Sequence, residues 1–104
     1  SIFQPHLFTR TRDFYKDFAQ SFMNSDIVII TDIYPAREKP IKGVTSKLIT
    51  DELLKLGHKN VHYVPNPLSL PIFIKKMILK DTTILIMGAG NIWRICENIY
   101  KEIK

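Results

Sequence analysis

The sequence predicts an α/β fold: a three-layer, Rossmann-like domain with a mainly parallel sheet and helices on both faces. Three observations carry this. Short β-branched runs alternate with longer runs of helical apolar spacing, the pattern of right-handed βαβ units. The run Asp26 to Thr31 is apolar without a break between its ends, as a strand buried on both faces should be. The chain has 104 residues, one domain by length, able to bury about two thirds of its unfolded surface without a disulfide.

In chain order, Ile2-Phe3 reads as the stub of a first strand. Thr11 or Asp13 opens a helix with Phe14, Phe18 and Phe22 at i, i+4, i+8 and Tyr15 and Ala19 beside them, ending at Asn24-Ser25. Asp26 to Thr31 is the second strand. Asp32 to Thr45, with two prolines and a glycine, is a long loop of functional character. Ser46 caps a helix over Lys47 to Leu56, whose stripe is Leu48, Ile49, Leu53, Leu54 and Leu56, and Gly57 closes it. Val61 to Val64 is the third strand, broken by Pro65-Asn66-Pro67. Ser69 caps a third helix with Pro71 in its first turn and Ile72, Phe73, Met77 and Ile78 turned inward. Thr82 to Met87 is the fourth strand. Gly88 to Asn91 turns into a last helix with Ile92, Ile95, Cys96, Ile99 and Ile103 on one side. The opening Ser1-Ile2-Phe3, without an initiator methionine, reads as a strand entered partway, and so as one domain excised from a longer protein.

Composition narrows the function. The formal net charge is +5, but the lysines are spread over every predicted helix, with no dense run and no basic stripe interleaved with aromatics. This argues against nucleic acid and fits attraction to a small anion. No apolar run reaches membrane-spanning length and no secretory signal is visible. The single cysteine, Cys96, excludes an internal disulfide, makes a reducing compartment such as the cytoplasm the default, and sits at core spacing, where a buried structural thiol is expected. His6, His58 and His62 are too scattered for a metal site, and His58 and His62 are expected to be exposed. Gly88-Ala89-Gly90-Asn91-Ile92-Trp93 begins as a dinucleotide fingerprint and fails at its third glycine, and no phosphate-loop lysine motif is present.

On such a sheet ligands sit beyond the carboxyl ends of the strands. Gln4 to Arg12, Asp32 to Arg37 and Gly88 to Asn91 all fall there. The first is the richest. Its histidine, arginines and threonines at a strand end, opening toward a helix N-terminus, suit an anionic group, with Arg10 as a bidentate fork and His6 as a second donor or proton carrier. The same residues also fit a solvated surface in which Thr11 is only an N-cap.

Phe3-Gln4-Pro5-His6, Thr9-Arg10-Thr11-Arg12-Asp13, Asp32-Ile33-Tyr34-Pro35-Ala36 and Gly88-Ala89-Gly90-Asn91-Ile92 resemble, in order and spacing, motifs of the C-terminal domain of the UDP-N-acetylmuramate–L-alanine ligases, of the Mur ligase family. The resemblance covers nearly the whole chain. It implies a bacterial cytoplasmic enzyme of peptidoglycan synthesis that joins L-alanine to UDP-N-acetylmuramate through an acyl phosphate. An N-terminal domain is implied to bind the UDP-sugar and a central domain ATP and magnesium, with no cofactor expected on this one. It implies that this domain helps bind the amino acid and closes onto those two. Residue by residue, it implies His6 and Arg10 around the alanine carboxylate and the reacting groups, His6 as a candidate catalytic residue, Thr9 and Thr11 shaping the loop, and Tyr34, Pro35, Gly88, Gly90 and Asn91 as cleft walls, with no metal ligand. Two positions depart from the family pattern: Leu7 stands where arginine is common, and Arg37 where glycine is common. A free-standing anion-binding module, or a sister ligase adding another amino acid or a peptide, is the alternative.

Overall fold

Val28, Ile29 and Ile30 explain the layering. Successive residues of a strand face opposite sides of its sheet. Val28 and Ile30 pack with Ala19, Phe22, Ile49 and Leu53 on one face, and Ile29 with Leu70, Ile74, Ile92, Ile95 and Ile99 on the other. An uninterrupted apolar run therefore serves two cores. Each such side chain, fully buried, contributes about 1.5–3 kcal/mol.

The computed structural model describes residues 1–104. Four strands, β1 (Ile2–Gln4), β2 (Val28–Ile30), β3 (Val61–Tyr63) and β4 (Ile86–Gly88), form one sheet in the order β3-β2-β1-β4, and every pairing is parallel. Helices α1 (Phe8–Ser21) and α2 (Lys47–Lys55) cover one face, and α3 (Leu70–Met77) and α4 (Cys96–Ile103) the other. A 3₁₀ turn precedes each of the last two, at Pro67–Ser69 and Ile92–Ile95. The three-layer parallel α/β class is as expected. The chain runs outward from β1 to β3, then returns to set β4 on the other side of β1. The strand order reverses between β1 and β4, and the crevice beyond their carboxyl ends is the usual ligand position in such sheets.

Several local expectations are corrected. Helix α1 starts at Phe8, not at Thr11 or Asp13. Leu7 takes φ 70° and turns the chain sharply out of the strand, and the first amides of α1 are satisfied from the distant Asp32–Thr45 loop, so no local cap marks the start. The buried stripe of α1 runs through Thr11 and Ala19 and on to Phe22, just past the helix end. Phe14 lies about a quarter turn off it and is half exposed. Ser46 does not cap α2; its hydroxyl donates to the Thr31 carbonyl at 2.5 Å, and Thr45 Oγ1 accepts the Lys47 amide instead. Ser69 lies in a 3₁₀ turn that Asn66 caps by accepting the Leu68 amide.

The last strand is shorter and later than Thr82 to Met87. Its only neighbour is β1, and the register pairs Ile2 with Ile86, leaving Thr82 to Ile84 without a partner strand. Leu54, Leu56 and Ile72 are exposed rather than inward. Cys96 is also exposed, not buried. The 3₁₀ turn before it advances about 120° per residue, which stacks Ile95 over Ile92 and rotates Cys96 out of the stripe. His58 is buried, not exposed: its Nδ1 accepts the Asn60 amide and its Nε2 meets the Ser25 carbonyl, so both ring nitrogens are used structurally.

Candidate functional site at the sheet switch point

An open cleft of about 340 Å³ lies beyond the carboxyl ends of the strands, lined by Gln4, Asp32 to Pro35, Pro65 to Pro67 and Asn91. Gln4 anchors it. Its side chain is buried, its Oε1 accepts the Ile92 amide at 3.2 Å, and its Nε2 donates to Asn91 Oδ1 at 3.0 Å. One carboxamide thus ties β1 to the turn that enters the last helix.

Tyr34 forms the second wall. Its amide donates to the Pro5 carbonyl at 2.8 Å, and its carbonyl accepts the Leu7 amide at 2.9 Å, continuing the β1–β2 pairing as a bridge to His6. The Tyr34 and His6 rings stack at 5.9 Å between centroids, 18° apart. Gly90 is required beneath the ring, because a Cβ there would lie 2.5 Å from Tyr34 Cγ. A Cβ on Gly88 would lie 2.7 Å from Ile92 Cγ2.

Asp32 forms the third wall. Its amide donates to the Pro65 carbonyl, and its Oδ1 accepts the Tyr63 hydroxyl. Partial burial, then this hydrogen bond and the carboxylate charge, push the Tyr63 pKa up to about 12, so the phenol stays a donor at neutral pH. A neighbouring cleft of about 290 Å³ shares Asp32 and Ile33 and is otherwise lined by Phe8, Thr45, Ser46 and Tyr63. A smaller, mainly apolar pocket of about 50 Å³ lies at the opposite end of the strands, between Ile2, Ile29 and Ile74, with Ser1, Thr82 and Thr83 on its rim.

The structure separates the residues singled out in the opening segment. Tyr34, Pro35 and Asn91 line the cleft, and Gly88 and Gly90 shape its backing. His6 lies against Tyr34 with its Nδ1 buried and without a hydrogen-bond partner. Thr11 is wholly buried and its hydroxyl donates to the Leu7 carbonyl, so it locks the first turn of α1. Thr9 donates through both its amide and its hydroxyl to the Glu38 carboxylate. Arg10 is exposed on α1, forms no salt bridge and is not among the cleft-lining residues, while Arg12 pairs with Asp13 at 2.8 Å. Tyr63, Asn66 and Glu38 are polar groups that sequence reasoning passed over, and Asp32 was read only as the start of a polar segment and motif, with no role of its own. Asp32 carried a usable signal, being a carboxylate at the end of an apolar strand; Glu38 carried none, since its partners are remote in sequence. No three His, Cys, Asp or Glu side chains converge on one point, and no helix is long and apolar enough to cross a membrane.

No family model matches the chain. Curated relatives do. A UDP-N-acetylmuramate–L-alanine ligase from Salinibacter ruber is 42% identical over 97 residues, 93% of this chain and 20% of the relative. The ligase of that name from Geobacter sulfurreducens is 40% identical over 102 residues, 98% of this chain and 22% of the relative. The one from Syntrophobacter fumaroxidans is 36% identical over 103 residues, 99% of this chain and 22% of the relative. The chain thus spans about a fifth of the length of these relatives. Matched nearly end to end at such identity, and folded as a parallel α/β domain, the chain belongs to the UDP-N-acetylmuramate–L-alanine ligases, where it corresponds to their C-terminal domain.

Proposed function

We propose that this chain is the amino-acid-binding, closing domain of an ATP-dependent ligase that joins L-alanine to UDP-N-acetylmuramate in bacterial cytoplasmic peptidoglycan synthesis. The observation that supports it best is that nearly the whole of this chain matches ligases of that name. In this reading the partners are L-alanine, UDP-N-acetylmuramate, ATP and the ligase's own N-terminal and central domains. ATP and magnesium are held by those domains, which supply the chemistry that activates the sugar's carboxylate as an acyl phosphate.

The chemistry left to this domain is placement. The alanine amine must meet the acyl carbon as a free base; the new C–N bond forms, the bond to phosphate breaks, and the amine's proton leaves. A cleft at the switch point fixes the amino acid, and closure excludes water that would hydrolyse the acyl phosphate. Arg10, free of any salt bridge in the chain, and His6 are offered to the anionic side of the reaction, the alanine carboxylate and the acyl phosphate. Thr9 and Thr11 hold the helix start that carries Arg10.

Phosphate release and product formation by a full-length ligase carrying this domain test the proposal, with alanine, glycine and serine compared. Alanine-dependent turnover in the presence of UDP-N-acetylmuramate, ATP and magnesium is expected, with background rates from the 104-residue chain alone. A full-length protein without alanine-dependent phosphate release, or turnover by the isolated chain, rejects it.

A further inference from the structure

We infer that the outward face of α3 seats the protein on an anionic phospholipid surface, with Leu68, Ile72 and Leu79 entering the interface and Lys75, Lys76 and Lys80 against the headgroup phosphates. The inference goes beyond the ligase reading and does not depend on it.

The face follows from helical phase. At about 100° per residue, Ile72 stands opposite the midpoint of Leu70 and Ile74, which are buried toward the sheet. Lys75 and Lys76 fall on either side of Ile72. Leu68, four residues earlier in the 3₁₀ turn, and Leu79, seven later and just past the helix, each lie close to a whole number of turns away from it. Leu68 and Leu79 are each 73% exposed, more than any other large apolar residue of the chain, and Ile72 is 58% exposed. Scattered apolar residues on a surface need no partner, but a row of three on one helix face marks an interaction surface.

Charge selects the partner. From Asn66 to Lys80 the sequence has three lysines and no acidic residue. The other helices mix signs: α1 carries Asp13 and Asp17, α2 Asp51 and Glu52, α4 Glu97 and Glu102. Glu102 reaches Lys75 at 3.8 Å, while Lys76 and Lys80 form no salt bridge. The occupant is therefore anionic. The row contains no Trp, Tyr or Arg, the residues that anchor protein partners, and lysine is depleted at protein interfaces. Leu68, Ile72 and Leu79 line none of the cavities described above, so the face is a ridge and not a groove for a peptide. Aliphatic side chains at the acyl boundary, flanked by lysines that reach phosphates, are the arrangement of a protein lying on a lipid surface. With so few groups the attachment is reversible and weakened by salt.

The test is flotation of a full-length ligase carrying this domain with vesicles of phosphatidylglycerol or of phosphatidylcholine. Binding to phosphatidylglycerol, lost at high salt, and none to phosphatidylcholine are expected. Each lysine near an anionic surface contributes about fivefold in affinity, so Lys76→Gln with Lys80→Gln should weaken binding about 25-fold. Ile72→Ser should weaken it about tenfold. Lys16→Gln with Lys55→Gln removes the same charge from α1 and α2, on the other face of the sheet, and should leave affinity within about twofold. Absence of wild-type binding to phosphatidylglycerol overturns the inference. So does an equal loss in the two lysine pairs, which would reflect net charge alone, or an unchanged affinity in Ile72→Ser. Binding to polyglutamate but not to the vesicles would assign the face to an acidic protein and overturns it as well. Without lipid, Ile72→Ser should keep the wild-type melting temperature and sedimentation coefficient. A lower melting temperature would mean that the ligase's own domains cover the ridge, and a dimer that dissociates on substitution would mean that a second copy does; either result overturns the lipid assignment.

Discussion

The Thr9 hydroxyl donates to Glu38 Oε2 at 2.5 Å, and Glu38 Oε1 accepts the Phe8 and Thr9 amides at 2.5 and 3.1 Å. The anion position at the start of α1 is thus filled by the chain's own carboxylate, which staples the Asp32–Thr45 loop onto the helix. The Thr9 hydroxyl first, and the two amides with it, hold the Glu38 pKa below its ordinary value, against a smaller opposing effect of burial. With the folded pKa lowered, the stabilisation is complete above 4.5, the free-glutamate value, and is lost as pH falls below it toward the folded value. Amide exchange at Phe8 and Thr9, corrected for intrinsic rates, should accelerate on acidification below that point. Glu38→Ala should show the fast exchange at neutral pH and a lower Tm. Equal protection in wild type and Glu38→Ala would remove the staple.

Gly90→Ala should damage the cleft from within. The new methyl group would lie 2.5 Å from Tyr34 Cγ and 3.0 Å from Gln4 Oε1, so the ring must leave its place against His6 or the turn must move. Overpacking of this kind costs about 1–3 kcal/mol. Denaturant melts should show that loss, and the His6 ring protons should lose the upfield shift that a stacked tyrosine imposes. Unchanged shifts with unchanged stability would mean that the turn relaxes freely.

These residues show where sequence reading reaches and where it stops. The alternation of strands and helices, the doubly buried strand, the Gly57 helix end at φ +97° and the gathering of three polar segments at one sheet edge all follow from local pattern, because period and turn chemistry are local properties. Glycines at 88 and 90 were legible as a turn and, through the resemblance, as cleft walls, though their close partners Ile92 and Tyr34 were not. The start of α1 was illegible because its cap comes from Glu38, a tertiary contact. Cys96 was misplaced because a 3₁₀ turn shifted the helical phase, and sequence spacing cannot reveal that shift. The opening segment drew attention by its residue types, yet packing spends Thr9 and Thr11 on holding the helix and brings Asp32 and Asn66 to the cleft instead.

Tyr63 reports directly on the Asp32 wall. The chain has four tyrosines. In a spectrophotometric titration one should ionise late, near the value of about 12 that burial and the Asp32 hydrogen bond impose, and Tyr63→Phe should delete that component. Asp32→Asn should lower it only in part, because burial is the larger cause. The folded pKa is raised above the ordinary 10.0, so the contribution to stability is complete below pH 10 and is lost as pH climbs from there toward 12. Tyr63→Phe should therefore flatten the alkaline loss of stability. A late component that persists in Tyr63→Phe would assign it to another tyrosine.

Arg10 separates a reactive role from a structural one. It is exposed and forms no salt bridge, so Arg10→Ala in a full-length ligase should leave the melting temperature unchanged. If its guanidinium meets the alanine carboxylate or the acyl phosphate on domain closure, kcat/KM for alanine should fall about ten- to a hundredfold, the cost of one charge-assisted contact. The KM values for ATP and the UDP-sugar should hold. Arg10→Lys should recover only part of the loss, since lysine keeps the charge but not the planar fork. The two anionic targets then part by their kinetics. A contact made to bound alanine raises its KM, whereas one made only to the acyl phosphate lowers kcat at unchanged alanine KM. Full activity in a stable Arg10→Ala enzyme would return Arg10 to the solvated surface and leave the anionic side of the reaction to His6.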